Sequence, residues 1–246
     1  VKRLKIFVFD DSPIHRRSAQ LTLGRDHELT VVSNYDRAQD ALAPRVDGDR
    51  QLNIFADKFG DREPFRSTGL SENQRKERIE YYCGDAEKGA VVRPDFDVVL
   101  TDLLVLPSAQ QQGPEGSRLL RTQMPLGAII ALLALAGGVK KVAVVTDTNH
   151  HNHPASAAFD CFGILNKCGN NIICTNRVNM VPLDEATNDL VDINFLYDEE
   201  GRDTEEGLIR YPFPKGQTWG KRKGLSMGKN WADVLDALFG ADEEAV

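Results

Sequence analysis

Three aspartates set the chemistry open to this sequence. Asp10 and Asp11 follow the apolar run Lys5-Ile6-Phe7-Val8-Phe9, and Asp102 follows a second apolar run, residues 96–101. If the two runs are neighbouring buried strands, the carboxylates meet at the strand ends and repel one another unless a cation or a proton intervenes. A hard divalent ion such as Mg2+ suits them, because it favours carboxylate and water oxygens and leaves positions for a phosphoryl group. The expected metal ligands are therefore Asp10, Asp11 and Asp102, and the expected chemistry is that of phosphate.

The elements that must position these residues are legible in the hydrophobic pattern. Residues 4–9 read as a buried strand running into a helix, with Ser12 available as a cap and Pro13 suited to the first turn. A helix over 13–23, a strand over 28–33 and a short helix over 36–42 follow. Residues 96–101 form a third strand, almost wholly apolar as in a sheet covered on both faces. Beyond a loop at 107–116, helical patterns at 115–123 and 126–136 are broken by Pro125, and 141–146 is a fourth strand with a helix expected at 155–162. This alternation predicts an α/β fold built on a doubly wound parallel sheet, in which function collects at the carboxyl ends of the strands. Asp10, Asp11, Asp102 and Thr146 all fall there.

Residues from about 44 to 95 depart from the rhythm into charged, Gly-containing sequence with one helix, 71–82. Since the rhythm resumes at once, the segment reads as an insertion within a single domain. Towards the C-terminus, 171–175 offers a fifth strand, an irregular extension is expected from about 176 to 228, and 229–239 reads as an amphipathic closing helix with Trp231, Val234, Leu235 and Leu238 on one face.

Composition narrows the function classes. At 246 residues, with 41% hydrophobic and 27% charged, the chain can bury a full core. A net charge of −7 argues against a nucleic-acid-binding surface, which needs clustered Lys and Arg. Four cysteines in a chain this long make no disulfide framework, and no signal-peptide pattern opens the sequence, so a cytoplasmic location is expected. The apolar run 126–139 is shorter than a bilayer crossing and reads as a buried helix, with no membrane insertion expected. His150, His151 and His153 with Cys161, Cys168 and Cys174 lack a tight zinc-ligand pair; the cysteines read as core residues and the histidines as lining the face beyond Thr146. The stretch 215–224 mixes glycine, cations and Trp219 but has no P-loop spacing and reads as a solvated loop.

The segment Lys5-Ile6-Phe7-Val8-Phe9-Asp10-Asp11-Ser12-Pro13, followed by His15-Arg16-Arg17, resembles the opening of a bacterial response regulator receiver domain. Phe96-Asp97-Val98-Val99-Leu100-Thr101-Asp102-Leu103-Leu104-Val105-Leu106-Pro107 resembles the phosphoacceptor strand of that family. The likeness spans about residues 4–43 and 95–167 and implies a flavodoxin-like three-layer sandwich. It further implies Mg2+ held by the acidic pair, Asp102 as the phosphoacceptor, Thr146 as the hydroxyl that senses the phosphoryl group, and a histidine kinase or other phosphodonor as partner. Output would pass through a protein-binding face. The family's lysine, which closes the fifth strand before a proline, is matched nearest by Lys167, here followed by Cys168. If 171–175 is the fifth strand instead, that lysine is missing. Two alternatives stand beside this reading: a degenerate receiver serving as an interaction module, and a Mg2+-dependent phosphohydrolase of the haloacid-dehalogenase type, which would use Asp10 and Thr146 but needs an Asp where Ser12 stands.

Overall fold

Apolar β-branched and aromatic residues at Lys5–Phe9 make β1, and the chain turns through Asp10-Asp11-Ser12 into α1, Pro13–Leu23. In this computed structural model the described residues are 2–108, 113, 116–147, 157, 167–168, 171–175, 178–184, 186–187, 189–190, 208–212, 218–222 and 225–240. The elements that follow are β2, Glu28–Val32; α2, Tyr35–Leu42; β3, Arg45–Val46; α3, Gly48–Phe59; α4, Glu72–Tyr81; α5, Glu87–Gly89; β4, Val91–Val92; and β5, Val98–Asp102. After them come α6, Gly127–Ala136; β6, Lys141–Val145; β7, Lys167–Cys168; β8, Asn171–Thr175; β9, Met180–Asp184; β10, Leu208–Pro212; β11, Thr218–Arg222; β12, Leu225–Lys229; and α7, Trp231–Gly240.

The fold is mixed α/β. Its main sheet has the order β2-β1-β5-β6-β8-β7, parallel from β2 to β8, with β7 returning antiparallel along β8. Parallel pairing without offset brings the ends of β1 and β5 level: Phe9 stands opposite Thr101, and Asp102 opposite Val145. Strands β5 and β6 are buried along their whole length. On one face Ile6, Val8, Val98, Leu100, Ala143 and Val145 pack against Ala19 and Leu23 of α1 and Trp231, Val234, Leu235 and Leu238 of α7. Side chains alternate in a strand, so Phe7, Val99, Val142 and Val144 face the other way, and α6 packs on β5 and β6. The chain separates into two compact units, Val1–Ala41 with Asp95–Val246, and Leu42–Pro94. The second unit has its own interior: Phe55 meets Phe59 and Tyr82, and the buried Arg78 guanidinium lies over Phe55 and Phe59 while pairing with Asp61.

Several expectations change. Ser12 takes the N-cap position, but its hydroxyl makes no cap bond; its backbone N–H is turned to the Asp10 carboxylate instead. The segment 44–95 contains α3 besides α4. Helicity expected over 115–123 reduces to one 3-10 turn, Gly116–Leu119. Within 176–228, the stretch expected to be an irregular extension, the described residues include paired strands: β9 pairs antiparallel with β12, and β10 with β11, the latter taking in Thr218–Arg222 of the expected loop. Pairing between strands some forty residues apart leaves no local periodic signal, and Pro182 within β9 weakens what there is. The closing helix begins at Trp231, so Lys229 ends a strand. The helix expected at 155–162 lies outside the described residues apart from Ala157.

Two glycines let backbone approach backbone beside the strand ends. A Cβ on Gly127 would lie 1.8 Å from the carbonyl oxygen of Asp102, and one on Gly228 would lie 2.5 Å from Ser18 Cβ. Gly127→Ala is expected to destabilise the protein by roughly 1–3 kcal/mol or more, since a fixed carbonyl cannot yield to the new methyl. Urea denaturation measures this, and an unchanged midpoint at unchanged slope would contradict so close an approach of α6 to β5.

Candidate functional site

The site is the carboxyl edge of β1, β5 and β6. Asp10, Asp11 and Asp102 each offer a carboxylate oxygen within 4.8 Å of the others. Asp10 is wholly buried, Asp102 nearly so, and Asp11 partly exposed. Asp10 Oδ1 accepts from the Ser12 N–H at 2.8 Å, which holds the turn that separates β1 from α1. Arg16 fixes the same turn from α1, donating to the carbonyl oxygens of Asp10 at 3.0 Å and Asp11 at 2.7 Å. Asp11 Oδ2 accepts from the Leu106 N–H at 3.2 Å, which ties the loop after β5 to the acidic pair.

A lysine completes the cluster, and it is Lys229. Its ammonium is fully buried and donates to Asp10 Oδ2 at 2.8 Å and Asp102 Oδ1 at 2.7 Å. The residue expected in that role, Lys167, lies on β7, three strand positions from β5. At about 4.8 Å per strand that places its backbone on the order of 14 Å from β5. The physical reason is topological: β8 is the strand that lies beside β6, and the buried lysine arrives from β12, which pairs with β9 and not with the main sheet. The cue available in the sequence was Lys229 at the head of an amphipathic helix, where a lysine reads as a solvated end.

Thr146 follows β6 directly and is buried. The Leu103 N–H donates to the Val145 carbonyl at 2.8 Å, so Thr146 emerges beside the end of β5. The next residue, Asp147, pairs with His15 of α1: Nε2 and Oδ2 are 3.0 Å apart. Neither His15 nor Asp147 stood out in the sequence as part of a site. His150, His151, His153 and Cys161 lie outside the described residues, as do the side chains of Cys168 and Cys174; Cys83 is free and exposed.

Burial raises the Asp102 carboxyl to about 7; Lys229 opposes the rise, while Asp10 and Asp147 add to it. For Lys229 burial works against the charge, yet Asp102, Asp10 and Asp147 together hold the ammonium well above the ordinary lysine value. Asp147 goes the other way: burial pushes it up, but the His15 hydrogen bond and the Lys229 charge bring it down to about 2. Three clustered carboxylates against one ammonium leave a local excess of negative charge, and at Asp102 the repulsion from Asp10 adds to the larger effect of burial. A donor set of carboxylate oxygens with surplus negative charge fits a hard divalent cation, and Asp10, Asp11 and Asp102 are the residues that would hold one.

No family model, no curated protein and no solved structure matches the chain. Among the described residues no helix is long and apolar enough to cross a membrane.

The sign of the Asp102 shift gives a test. The unfolded chain loses this proton near 3.8 and the folded protein near 7, so between these values the unfolded state releases the proton first. Stability therefore falls as pH rises from about 4 to 7 and then levels off. Asp102→Asn removes this dependence, so in the presence of a chelator the melting temperature of the wild type relative to the variant is expected to fall by a few degrees between pH 5 and pH 8, a change of the size that ~1 kcal/mol produces. Melting curves at pH 5 and pH 8 decide the matter; equal differences at both pH values would argue against a raised Asp102.

Proposed function

We propose that this protein is a receiver-like phosphoacceptor, with a flavodoxin-like core, that takes a phosphoryl group on Asp102 in the presence of Mg2+. The observation that carries the reading is the Lys229 ammonium set between Asp10 and Asp102, beside a third carboxylate and a buried strand-end threonine. Such a site has a nucleophile, ligands for a metal and a fixed cation within a few ångströms.

In the proposed step a carboxylate oxygen of Asp102 attacks the phosphorus of an acyl phosphate or phosphohistidine. The new O–P bond forms as the bond to the leaving group breaks, and the leaving group departs with the electron pair. Asp10, Asp11 and Asp102 would hold the Mg2+, which would supply neutralising charge to the phosphoryl oxygens. Lys229 holds Asp102 Oδ1 and offers its charge to the incoming phosphoryl group, which leaves the other oxygen as nucleophile. Thr146, which follows β6 beside the end of β5, would contact the product through its hydroxyl, and its movement would carry the signal to a protein partner. Asp102 must be ionised to react, so the reaction rises with pH through the region near 7.

The position of Thr146 bears on the hydrolase alternative. Thr146 follows β6, which neighbours β5 and not β1. Thr146 therefore ends the strand beside that of Asp102, whereas a nucleophilic Asp10 would want it beside β1, and position 12 remains Ser. The lysine at the carboxylates also speaks against a degenerate receiver, whose case rested on an uncertain lysine and on the long insertion, of which the second stands.

Incubation with acetyl phosphate and Mg2+ is expected to add one phosphoryl group to the intact protein. Asp102→Asn abolishes the adduct, and Lys229→Gln lowers its yield at least about tenfold, as expected for loss of a charge-assisted contact. Intact-mass measurement reads all three. Continuous turnover of the donor that depends on Asp10 would favour the hydrolase, and a wild type that neither takes the group nor binds Mg2+ would leave only an interaction module.

A further inference from the structure

His15 is almost fully buried on α1 and, beyond the helix's own backbone bonds, makes four hydrogen bonds among the described residues, none of them to the three clustered carboxylates. Its Nδ1 accepts the backbone N–H of Lys229 at 3.2 Å. Its Nε2 lies 3.0 Å from Asp147 Oδ2. Its carbonyl oxygen accepts from the Trp231 indole at 2.9 Å and from the Ser18 hydroxyl at 2.8 Å. Since Nδ1 receives a proton donor, the ring proton sits on Nε2 and points at Asp147, which accepts it as an anion. One residue of α1 thus grips both sides of the β12–α7 junction, Lys229 by the ring and Trp231 by the backbone, and joins them to the residue after Thr146.

This grip answers a mechanical problem. β12 pairs with β9 and not with the main sheet, so no parallel register fixes how far its last residue projects towards Asp10 and Asp102. A buried ammonium tolerates little misplacement, because without its partners it would lose its compensation. Gly228 brings the strand against Ser18, and the next backbone N–H meets the imidazole. We infer that His15 is the positioning residue that sets the Lys229 ammonium between Asp10 and Asp102, with Asp147 orienting the ring from its far side. The inference gives the proposed phosphoacceptor site its source of alignment and rests on that reading for its functional meaning.

The test reads Lys229 directly, without metal or phosphodonor. Reductive methylation followed by peptide mass spectrometry measures how fast each lysine reacts in the full chain. In the wild type Lys229 is expected to be protected, while the exposed Lys88 reacts freely. His15→Gln keeps a donor for Asp147 but loses the acceptor for the Lys229 N–H, and is expected to speed modification of Lys229 by roughly tenfold, the effect of one lost buried hydrogen bond. His15→Asn places an amide oxygen near the Nδ1 position and is expected to restore most of the protection. Lys141, buried at the opposite end of the sheet with its ammonium on the Leu238 carbonyl, stays unchanged in both. If Lys229 remains protected in His15→Gln, or if Lys229 and Lys141 become reactive together, His15 is an ordinary core residue and the inference falls. Phosphoryl transfer to the wild type is scored separately, so a protein that takes no phosphoryl group overturns the phosphoacceptor reading while the labelling still judges His15.

Discussion

The structure turns on one buried ammonium. Placing Lys229 out of water costs several kcal/mol unless its charge is met, and the two carboxylates at 2.8 and 2.7 Å meet it. The dependence runs both ways. Asp10 and Asp102 close neighbouring parallel strands, and without a cation between them their repulsion would oppose the register that brings those strands level. The lysine thus contributes to the sheet edge as well as to the chemistry there, and β12 cannot leave without exposing an acidic pair.

Around that interaction each contact has a mechanical purpose. Arg16 holds the turn after β1 by its carbonyls, Ser12 fixes Asp10 from the backbone, and Leu106 draws the loop after β5 towards Asp11. Gly127 lets α6 touch the Asp102 carbonyl, and Gly228 lets β12 touch α1. α7 covers the same sheet face as α1 with Trp231, Val234, Leu235 and Leu238, each worth roughly 1.5–3 kcal/mol when fully buried. That apolar area anchors the end of the chain, and Lys229, two residues before Trp231, is carried to its place by it. The unit Leu42–Pro94 has its own aromatic interior around Phe55 and Arg78, which explains how so long a segment stands between α2 and β5 while β1 and β5 remain hydrogen-bonded neighbours.

Local sequence carried a good part of this. The strands within 4–9, 28–33, 96–102 and 141–146 follow from short runs dense in β-branched and aromatic residues, the helix at 13–23 from Ser12-Pro13 at its start, and the helix at 127–136 from an unbroken run of Ala, Ile and Leu after Pro125. The convergence of Asp10, Asp11 and Asp102 was also legible, since consecutive parallel strands put their carboxyl ends on one edge. Ser12 was harder to read, because its backbone and not its hydroxyl serves the turn.

What the tertiary structure alone decided is the identity of the cation and of its support. Lys167 and Lys229 are indistinguishable to local rules, each a lysine at the boundary of a weak element. Lys229 wins because β12 pairs with β9 across more than forty residues and because α7 buries its apolar face beside α1. His15 and Asp147 became visible for the same reason: their partners lie 214 and 132 residues away in the chain. Periodicity and turn chemistry act over a few residues and so determine elements; a buried charge is neutralised by whatever the packed chain brings within 3 Å, and only the folded arrangement of distant segments settles that.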